Sequence, residues 1–353
     1  MDPLTKYLTP IGAAICASAL CAVLTGMVRR YALAHDLLDI PGDRSSHVRP
    51  TPRGGGLAIA ITIALGLAIG ARAGFVTPRL ALALGGGGAL VAMVGWIDDR
   101  GHVAASVRIV VHSVAAIWAL HWTDGLSSFA LGSHVVSLGR VGPIIGAFGI
   151  VWLINLYNFM DGIDGLSGGN GAIVSAFGAY LFARSAMPEL ALVAAIVAGS
   201  CTGFLAWNWS PARIFMGDVG SGLLGFVFAV FAIVGERTHA IPLLAWLTLL
   251  GVFVVDASLT LARRVARGER FWEGHRHHAY QRLVQHGASH AAVTSAVLGV
   301  DCVIGGVVVF ALAADSLIFA SAVVFTGLIG SYFVVSHLVA TDEPDHAGKR
   351  IGA

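Results

Sequence analysis

Residues 142–169 read GPIIGAFGIVWLINLYNFMDGIDGLSGG, a stretch that changes from an almost wholly apolar run into a polar block. The run over 142–158 predicts a helix that crosses a membrane, since about 20 apolar residues span a hydrocarbon core. Asn155, Asn158, Asp161 and Asp164 then follow at every third position. Polar groups at the edge of a bilayer are costly unless they are bound to something. The stretch therefore predicts a membrane helix that leads into a functional site.

The rest of the chain has the same apolar character. Of its 353 residues, 56% are hydrophobic and 12% are charged, and the mean hydropathy is +0.79. A water-soluble domain of this length needs more polar surface. A net charge of +2 and the lack of a basic tail give no indication of a nucleic-acid partner. Composition thus predicts an all-α polytopic membrane protein, with residues 1–353 as one integral domain.

About eleven apolar segments are long enough for membrane helices. They cover approximately 8–28, 54–74, 79–96, 106–122, 142–158, 169–186, 188–207, 218–235, 241–262, 291–313 and 316–340. One segment between them, Thr123 to Val141, alternates Ser, Phe and Val residues and predicts a small hairpin.

The basic residues predict the orientation of these helices. If successive loops alternate between two sides, sixteen of the 22 lysines and arginines fall on one side, which the positive-inside rule makes cytoplasmic. The N-terminus then faces outward and the C-terminus inward. Five loops with polar residues of catalytic type share this cytoplasmic side, and they predict one composite site there: 44–56, 97–102, 155–169, 208–221 and 273–283.

Carboxylates are the main candidates for chemistry in these loops. On one helix, the Asn155–Asp164 series would occupy a single broad face, where amides and carboxylates hold hydrated Mg²⁺ or a nucleotide. The adjacent Asp98 and Asp99 repel each other unless a cation or an arginine, such as Arg100 or Arg108, lies between them. Asp218 follows Gly217 at a helix start, where it is either a ligand or a helix cap.

Histidines and one further acid complete the set. His275, His277 and His278 lie in an Arg-rich segment, and with so many acids nearby we expect them to face phosphate rather than to bind a transition metal. A basic face against anionic lipid is the alternative. Asp256 lies inside an apolar segment, where we expect Arg263 or Arg264 to be its partner.

Four motifs together resemble the polyprenyl-phosphate N-acetylhexosamine-1-phosphate transferase family. They are the Asp98-Asp99 pair, the N-x-x-N-x-x-D-G-x-D-G-L block at 155–166, the N-x-x-P-A-x-x-F-M-G-D-x-G-S block at 208–221, and the histidine segment at 275–278. The resemblance covers about residues 39–283. Arg108 and His112 stand where the family often has lysine and glutamine. The segment HRHHAYQRL, with RSSHVRPTPRGGG, looks most like the members that initiate O-antigen synthesis.

The resemblance implies a reaction, partners and residue roles. A polyprenyl phosphate, such as undecaprenyl phosphate, would attack a UDP-N-acetyl sugar (GlcNAc, FucNAc or QuiNAc) and release UMP, at the bacterial cytoplasmic membrane. The cofactor would be Mg²⁺, with Mn²⁺ as an alternative, and a homodimer is compatible with it. Candidate catalytic residues are Asp98, Asp99, Asp161, Asp164, His275, His277 and His278. Candidate substrate-binding residues are Asn155, Asn158, Asn208, Phe215, His47, Arg53 and Arg276, and candidate metal ligands are Asp98 and Asp218.

Two other classes of protein stay open at this stage. A transporter also carries intramembrane acids, but it predicts a site near the bilayer midplane between paired halves. Another Mg²⁺-dependent membrane phosphotransferase would use the same carboxylates on a different substrate.

Overall fold

A computed structural model describes residues 3–41, 49–101, 103–132, 134–269 and 276–341. They form helices α1 to α13 and two short antiparallel sheets, β1–β2 and β3–β4. The helices are Pro3–Ala34, Gly56–Arg72, Pro78–Asp98, Ala105–Thr123, Gly142–Phe159, Leu166–Arg184, Pro188–Asn208, Asp218–Arg237, Leu243–Leu249, Gly251–Ala266, Ala279–Gln285, His290–Ala313 and Leu317–Thr341. The strands are Leu38–Asp39, Thr51–Pro52, Ser128–Leu131 and His134–Ser137.

The predicted helical membrane fold is confirmed, while the count of eleven spans stays a prediction. Within the described ranges, eight helices are long and apolar enough to cross a bilayer: α1, α3, α4, α5, α7, α8, α12 and α13. The segment predicted at 241–262 is divided into α9 and α10, which meet at an angle of 81°. Helix α2 has 17 residues, and α6 begins with the polar sequence LSGGN. Each predicted segment is thus helical, but three of them are short, polar or bent.

Helix α8 forms the centre of the bundle. In its apolar stretch 89% of the residues are buried, and the helix packs against α5, α3 and α2. A helix that is hydrophobic on all sides is buried on all sides, and Phe226, Phe228 and Phe231 are fully enclosed. At Gly225 the Leu153 carbonyl oxygen of α5 lies where a side chain would begin. This close packing fixes the N-terminal residue of α8, Asp218.

The predicted hairpin is present as β3 and β4, paired from Ser128↔Ser137 to Leu131↔His134. It is fastened to the helices by the buried Glu236 of α8, whose carboxylate accepts hydrogen bonds from the backbone N–H groups of Ala130 and Leu243. The hairpin lies at the end of the bundle where α8 terminates. The polar loops lie at the opposite end, which is called the site end below.

Candidate active site

Two loops at the site end pair with each other through their backbones. Phe215 N–H donates to the Pro52 carbonyl, and Gly55 and Gly56 N–H donate to the carbonyls of Phe215 and Met216, each at 2.8 Å. The segment before α2 is therefore held against the segment before α8. This pairing carries Arg53 to the start of α8, over a separation of 165 residues from Asp218.

Three aspartates and two arginines meet there and are called the acid cluster: Asp98, Asp99, Asp218, Arg53 and Arg108. Arg53 bridges Asp99 and Asp218, at 2.9 Å and 3.0 Å. Arg108 lies 2.7 Å from Asp98 and 3.5 Å from the second oxygen of Asp218. The arginines supply the positive charge that adjacent carboxylates need. Of the two arginines considered as partners for the aspartate pair, Arg108 takes that place.

Arg100 has a different position. Its guanidinium carbon lies 3.3 Å from the centre of the Trp96 ring. The indole therefore provides a cation–π contact for a charge that does not join the acid cluster.

The Asp99 carboxylate accepts hydrogen bonds from backbone N–H groups at the start of α8. Its Oδ1 accepts the Asp218 N–H at 2.9 Å, and its Oδ2 lies 3.5 Å from the Val219 nitrogen. First-turn N–H groups of a helix lack partners within it, so Asp99 serves as a cap supplied by another helix. Gly217, with φ of 75°, is the residue before the helix, so the alternative of Asp218 as the cap is not realised. Burial raises the pKa of Asp99, although Arg53 and these two N–H groups oppose the shift.

The series Asn155, Asn158, Asp161 and Asp164 does not lie on one helix face, and that prediction is wrong. Helix α5 ends at Phe159, and α6 begins at Leu166. The two asparagines are on the last turns of α5, while both aspartates belong to the connection that follows. Gly165, with φ of 75°, turns the chain into α6. The glycines of the block therefore end the helical pattern that the spacing suggested.

Asp161 and Asp164 have different environments within this connection. Burial raises the pKa of Asp161 to about 7, with a further increase from Asp218. Burial also disfavours the charge of Asp164, but hydrogen bonds from His290 and the Ala212 N–H outweigh it and lower its pKa. The two carboxyls therefore differ: the surroundings of Asp161 favour its neutral form, while those of Asp164 favour its charged form.

His290 is a site residue that sequence reasoning missed. Its Nδ1 lies 3.2 Å from Asp164 Oδ1, and Thr294, one turn further along α12, donates to the Asp164 carbonyl at 2.7 Å. The two residues are separated from Asp164 by more than 120 positions. A histidine at the start of a predicted span was the one available signal.

A cavity of about 210 Å³ joins these parts of the site end. Acids, amides and imidazole dominate its lining, which comes from six separate segments of the chain. The lining residues are Asp39, Arg53, Asn158, Asp161, Gly162, Ile163, Asp164, Asn208, Phe215, Met216, Gly217, Asp218, Gln281 and His290. Of the predicted substrate-binding residues, Arg53, Asn158, Asn208 and Phe215 are thus brought together.

Asn208 and Asn155 have mainly structural contacts. Asn208 accepts the Gly165 N–H at 3.0 Å and donates to the Ile214 carbonyl at 2.9 Å, so it ties the α5–α6 connection to the loop before α8. Asn155 donates to the Val151 carbonyl at 2.7 Å. It lines a second cavity of about 20 Å³ behind Asp218, together with Arg108 and His112. That volume accommodates about one water molecule.

The histidine segment is only partly described. His275 and His47 lie outside the described residues. His277 is exposed and lies 3.9 Å from Glu269, while Arg276 accepts a hydrogen bond from Gln285 through its carbonyl. None of the described residues of this segment lines the cavity, and their role toward a pyrophosphate stays a prediction.

His278 is buried against Asp256, and the prediction that Arg263 or Arg264 pairs with Asp256 is wrong. The His278 Nδ1 lies 3.2 Å from Asp256, which also accepts the N–H groups of Ala279 and Tyr280. Arg264 pairs with Glu269 instead. Asp256 therefore caps α11, a helix of seven residues whose N–H groups supply donors closer than either arginine.

The chemistry of the site follows from its groups. The described residues contain no cluster of three or more histidine, cysteine or acidic side chains arranged to hold a metal ion. Asp98 and Asp218 nevertheless offer oxygen ligands side by side, linked through Arg108. Mg²⁺ is commonly bound through one or two carboxylates together with substrate phosphates. The donor set therefore fits Mg²⁺ that arrives with a phosphorylated substrate.

Comparisons with known proteins agree with this chemistry. The model of the family "Glycosyl transferase family 4" matches residues 81–236, a range that includes the acid pair, the α5–α6 connection and Asp218. The chain is 24% identical over 274 residues to a probable undecaprenyl-phosphate N-acetylglucosaminyl 1-phosphate transferase of Bacillus subtilis, covering 76% of this chain and 75% of the relative.

Two further relatives extend the likeness. Identity is 29% over 300 residues with a decaprenyl-phosphate N-acetylglucosaminephosphotransferase of Mycolicibacterium smegmatis, covering 75% of this chain and 73% of that protein. It is 34% over 166 residues with a phospho-N-acetylmuramoyl-pentapeptide-transferase of Streptomyces coelicolor, covering 46% and 40%. The acids at one end of the bundle, rather than at its middle, also disfavour a transporter. The protein is a multi-pass membrane enzyme, a sugar-phosphate transferase similar to glycosyl transferase family 4 and to the polyprenyl-phosphate N-acetylglucosamine-1-phosphate transferases.

Proposed function

We propose that this enzyme transfers an N-acetylated sugar 1-phosphate from a UDP-sugar to undecaprenyl phosphate and releases UMP. GlcNAc is the first choice of sugar, since two of the relatives above carry N-acetylglucosamine in their names. FucNAc and QuiNAc are the alternatives that the histidine segment suggests. The product would initiate an O-antigen or another polysaccharide of the cell envelope. We place the site end on the cytoplasmic side of the inner membrane, where the excess of basic residues lies.

One observation carries the proposal: acids from three separate segments border one polar cavity at the end of a membrane bundle. Asp218 begins α8, Asp161 and Asp164 precede α6, and Asp39 ends β1. Arg53, which precedes α2, adds a positive charge to the same lining. A nucleotide sugar approaches such a cavity from water, while a lipid phosphate approaches it from the bilayer. The cavity therefore suits a reaction between one soluble and one lipid substrate.

The residues divide into those that hold the donor and those that shape the site. Asp164, held by His290 and the Ala212 N–H, presents a fixed charge toward the nucleotide. Arg53, between Asp99 and Asp218, can turn a donor toward a phosphate oxygen, and a guanidinium is well suited to that. Asp99 is a positioning residue that sets the direction of the first turn of α8.

Magnesium is part of the proposal, with Mn²⁺ as the alternative. Asp98 and Asp218 would hold it, because both carboxylates lie beside the same Arg108 guanidinium, at 2.7 Å and 3.5 Å. When bound, the cation neutralises pyrophosphate charge and stabilises the UMP leaving group.

The acceptor needs no strong base. A phosphate monoester has its second pKa near ~6 and is mostly dianionic at neutral pH, so positioning and charge neutralisation carry most of the acceleration. Asp99 has both carboxylate oxygens directed at backbone N–H groups and Arg53. Such a carboxylate is poorly placed to be a nucleophile, and we expect direct displacement without an aspartyl-phosphate.

Purified enzyme would test the proposal directly. UMP release is measured with UDP-GlcNAc, UDP-FucNAc, UDP-QuiNAc and UDP-MurNAc-pentapeptide, each with and without undecaprenyl phosphate. We expect release that requires both the lipid phosphate and Mg²⁺, fastest with UDP-GlcNAc. UMP release that is independent of the lipid, or no release with any donor, would refute the proposed function. Sizing of the same sample by mass photometry tests the homodimer.

A further inference from the structure

Gln281 is a buried polar residue whose amide oxygen has no hydrogen-bond partner in the part of the chain that the structure describes. The residue is only 7% exposed, and its Oε1 is fully covered without receiving a hydrogen bond. Such atoms are uncommon in folded proteins, and each needs an explanation. Among the described side chains with a buried polar atom of this kind, Gln281 alone lines the cavity of about 210 Å³. Its position points to a ligand in that cavity.

The helix that carries Gln281 is held by contacts of other residues. Asp256 accepts the N–H groups of Ala279 and Tyr280, at 3.0 Å and 3.3 Å, and so holds the start of α11. The Tyr280 hydroxyl donates to the Phe159 carbonyl at 3.0 Å, which ties α11 to the end of α5. Because the helix and the preceding residue are both fixed, the fold itself directs the Gln281 side chain into the cavity.

Gly162 provides the space for this arrangement. A side chain at this position would meet the Tyr280 hydroxyl, and it would begin 2.8 Å from the Gln281 Nε2. Any other residue would therefore push α11 away from the α5–α6 connection. Gly162 lies between Asp161 and Asp164 in the chain, so Gln281 borders the cavity beside these two acids.

The wall that α11 forms is separate from the walls that suit the other parts of a UDP-sugar. Arg53 and the acid cluster supply positive charge and metal ligands, so the pyrophosphate belongs there. Asn208 and Phe215 border the cavity from the end of α7 and the loop before α8, and an amide beside an aromatic ring suits a flat nucleobase. That loop is paired with the segment before α2, whereas α11 packs against α12 and α13. The sugar is the part of the donor that remains for the wall of α11.

We infer that Gln281 is a specificity-determining residue that accepts a hydrogen bond from the amide N–H or a hydroxyl group of the donor's sugar. The inference rests on the proposed function, which supplies the UDP-sugar, and adds the residue that distinguishes one sugar from another. N-acetylated sugars differ from each other in their hydroxyl groups and from simple hexoses in their amide. A site that hydrogen-bonds one such group discriminates against analogues that lack it, because its own buried polar atom is then left unpaired.

Binding measurements with one variant and one matched control test the inference. Gln281→Leu removes the amide, while Gln285→Leu makes the same change at an exposed position at the end of the same helix. Binding of UDP-GlcNAc and of UMP, each with Mg²⁺, is measured by isothermal titration calorimetry. We expect Gln281→Leu to weaken UDP-GlcNAc binding by about 10- to 100-fold and to leave UMP binding unchanged, because UMP has no sugar at this wall. Gln285→Leu should match wild type with both ligands.

Thermal melting separates this role from a structural one. Leucine replaces a buried polar group that gains no hydrogen bond from the described protein, so Gln281→Leu without ligand should melt at or above the temperature of wild type. A lower melting temperature, together with equal losses of UMP and UDP-GlcNAc binding, would show a structural role and overturn the inference.

Donors that differ by one group identify the group that Gln281 contacts. UDP-glucose lacks the amide, UDP-QuiNAc lacks the 6-hydroxyl, and UDP-GalNAc has the 4-hydroxyl inverted. The preference of wild type for UDP-GlcNAc over one of these donors should shrink about tenfold or more in Gln281→Leu, because the variant no longer distinguishes that group. If all three preferences are unchanged, Gln281 does not determine specificity, even where every donor binds more weakly.

Failure of this inference and failure of the proposed function give different results. If wild type releases UMP in the presence of undecaprenyl phosphate, but Gln281→Leu binds UDP-GlcNAc as wild type does, only the inference fails. If neither protein releases UMP, but wild type binds UDP-GlcNAc and Gln281→Leu has lost that binding selectively, the proposed transfer fails and the assignment of Gln281 stands.

Discussion

Replacement of Asp99 tests whether this acid positions Asp218 or takes part in the chemistry itself. Asp99→Asn keeps an oxygen that can accept the Asp218 N–H but removes the charge that pairs with Arg53. Asp99→Ala removes both. The pair of variants therefore separates the helix cap from the ion pair.

The structure sets the size of each effect. A side chain that caps a helix contributes about 1 kcal/mol. Breaking a fully buried ion pair costs about 3–5 kcal/mol and an exposed one less than about 1 kcal/mol. The Asp99 and Arg53 side chains are 5% and 35% exposed, and Arg53 retains Asp218 at 3.0 Å. Burial also raises the pKa of Asp99 and so offsets much of this ion pair. We therefore expect a stability loss below about 1 kcal/mol for Asp99→Asn and of about 1–2 kcal/mol for Asp99→Ala.

Activity should follow from the placement of Asp218. Residues that orient a metal ligand typically change metal affinity or activity by about ten- to a hundredfold. We expect Asp99→Asn to lower kcat within that range and to raise the Mg²⁺ concentration at half-maximal rate. The assays are UMP release over a Mg²⁺ titration and thermal melting in the same detergent. A loss beyond about ten-thousandfold with unchanged melting and Mg²⁺ response would show that Asp99 contacts the reacting atoms, as groups acting in the chemical step do.

Three further acids or pairs and one exchange reaction give additional predictions. Asp218→Ala should abolish UMP release, and substantial Mg²⁺-dependent turnover would remove the metal assignment. Because the pKa of Asp161 is raised from 3.8 to about 7, its neutral carboxyl contributes stability that is full below pH about 4 and lost as pH rises through about 7. Asp161→Asn should therefore gain melting temperature relative to wild type across that window without Mg²⁺; a constant difference would contradict the shift. The pKa of Asp164 is lowered in part by His290, so its charge stabilises above its unfolded pKa and that stability is lost as pH falls through the lower folded pKa. His290→Phe should move acid unfolding to higher pH, and an unmoved midpoint would refute this pairing. Lipid-free enzyme should not exchange labelled UMP into UDP-sugar; exchange would indicate a covalent intermediate.

Local sequence predicts the helices well because the apolar runs are long and the bilayer fixes their length. The runs at 188–207 and 218–235 correspond to α7 and α8 within one or two residues. The exceptions arise where composition and backbone geometry diverge. The apolar run at 241–262 gives no warning of the 81° bend between α9 and α10, because hydropathy measures length and polarity but not direction.

The site was predictable as a set of acids and less so as a set of contacts. Motif spacing identifies Asp98, Asp99 and Asp218, and the structure brings them together. Motif spacing does not predict that Asp99 accepts a hydrogen bond from the Asp218 N–H, or that His278 pairs with Asp256. Such pairings join residues that are distant in the chain, and their geometry depends on how the helices cross. Sequence periodicity carries no information about that crossing.

Because α8 is enclosed by other helices, the position of Asp218 should not depend on the thickness of the bilayer. Only 17% and 11% of the residues in the apolar stretches of α1 and α13 are buried. These helices therefore face the lipids, and they tilt or shift when the lipids become longer or shorter. Helix α8 touches neighbouring protein on nearly every side, and its surroundings do not change with acyl length. Turnover per bound acceptor should therefore vary little between thin and thick bilayers, even where the peripheral helices adjust.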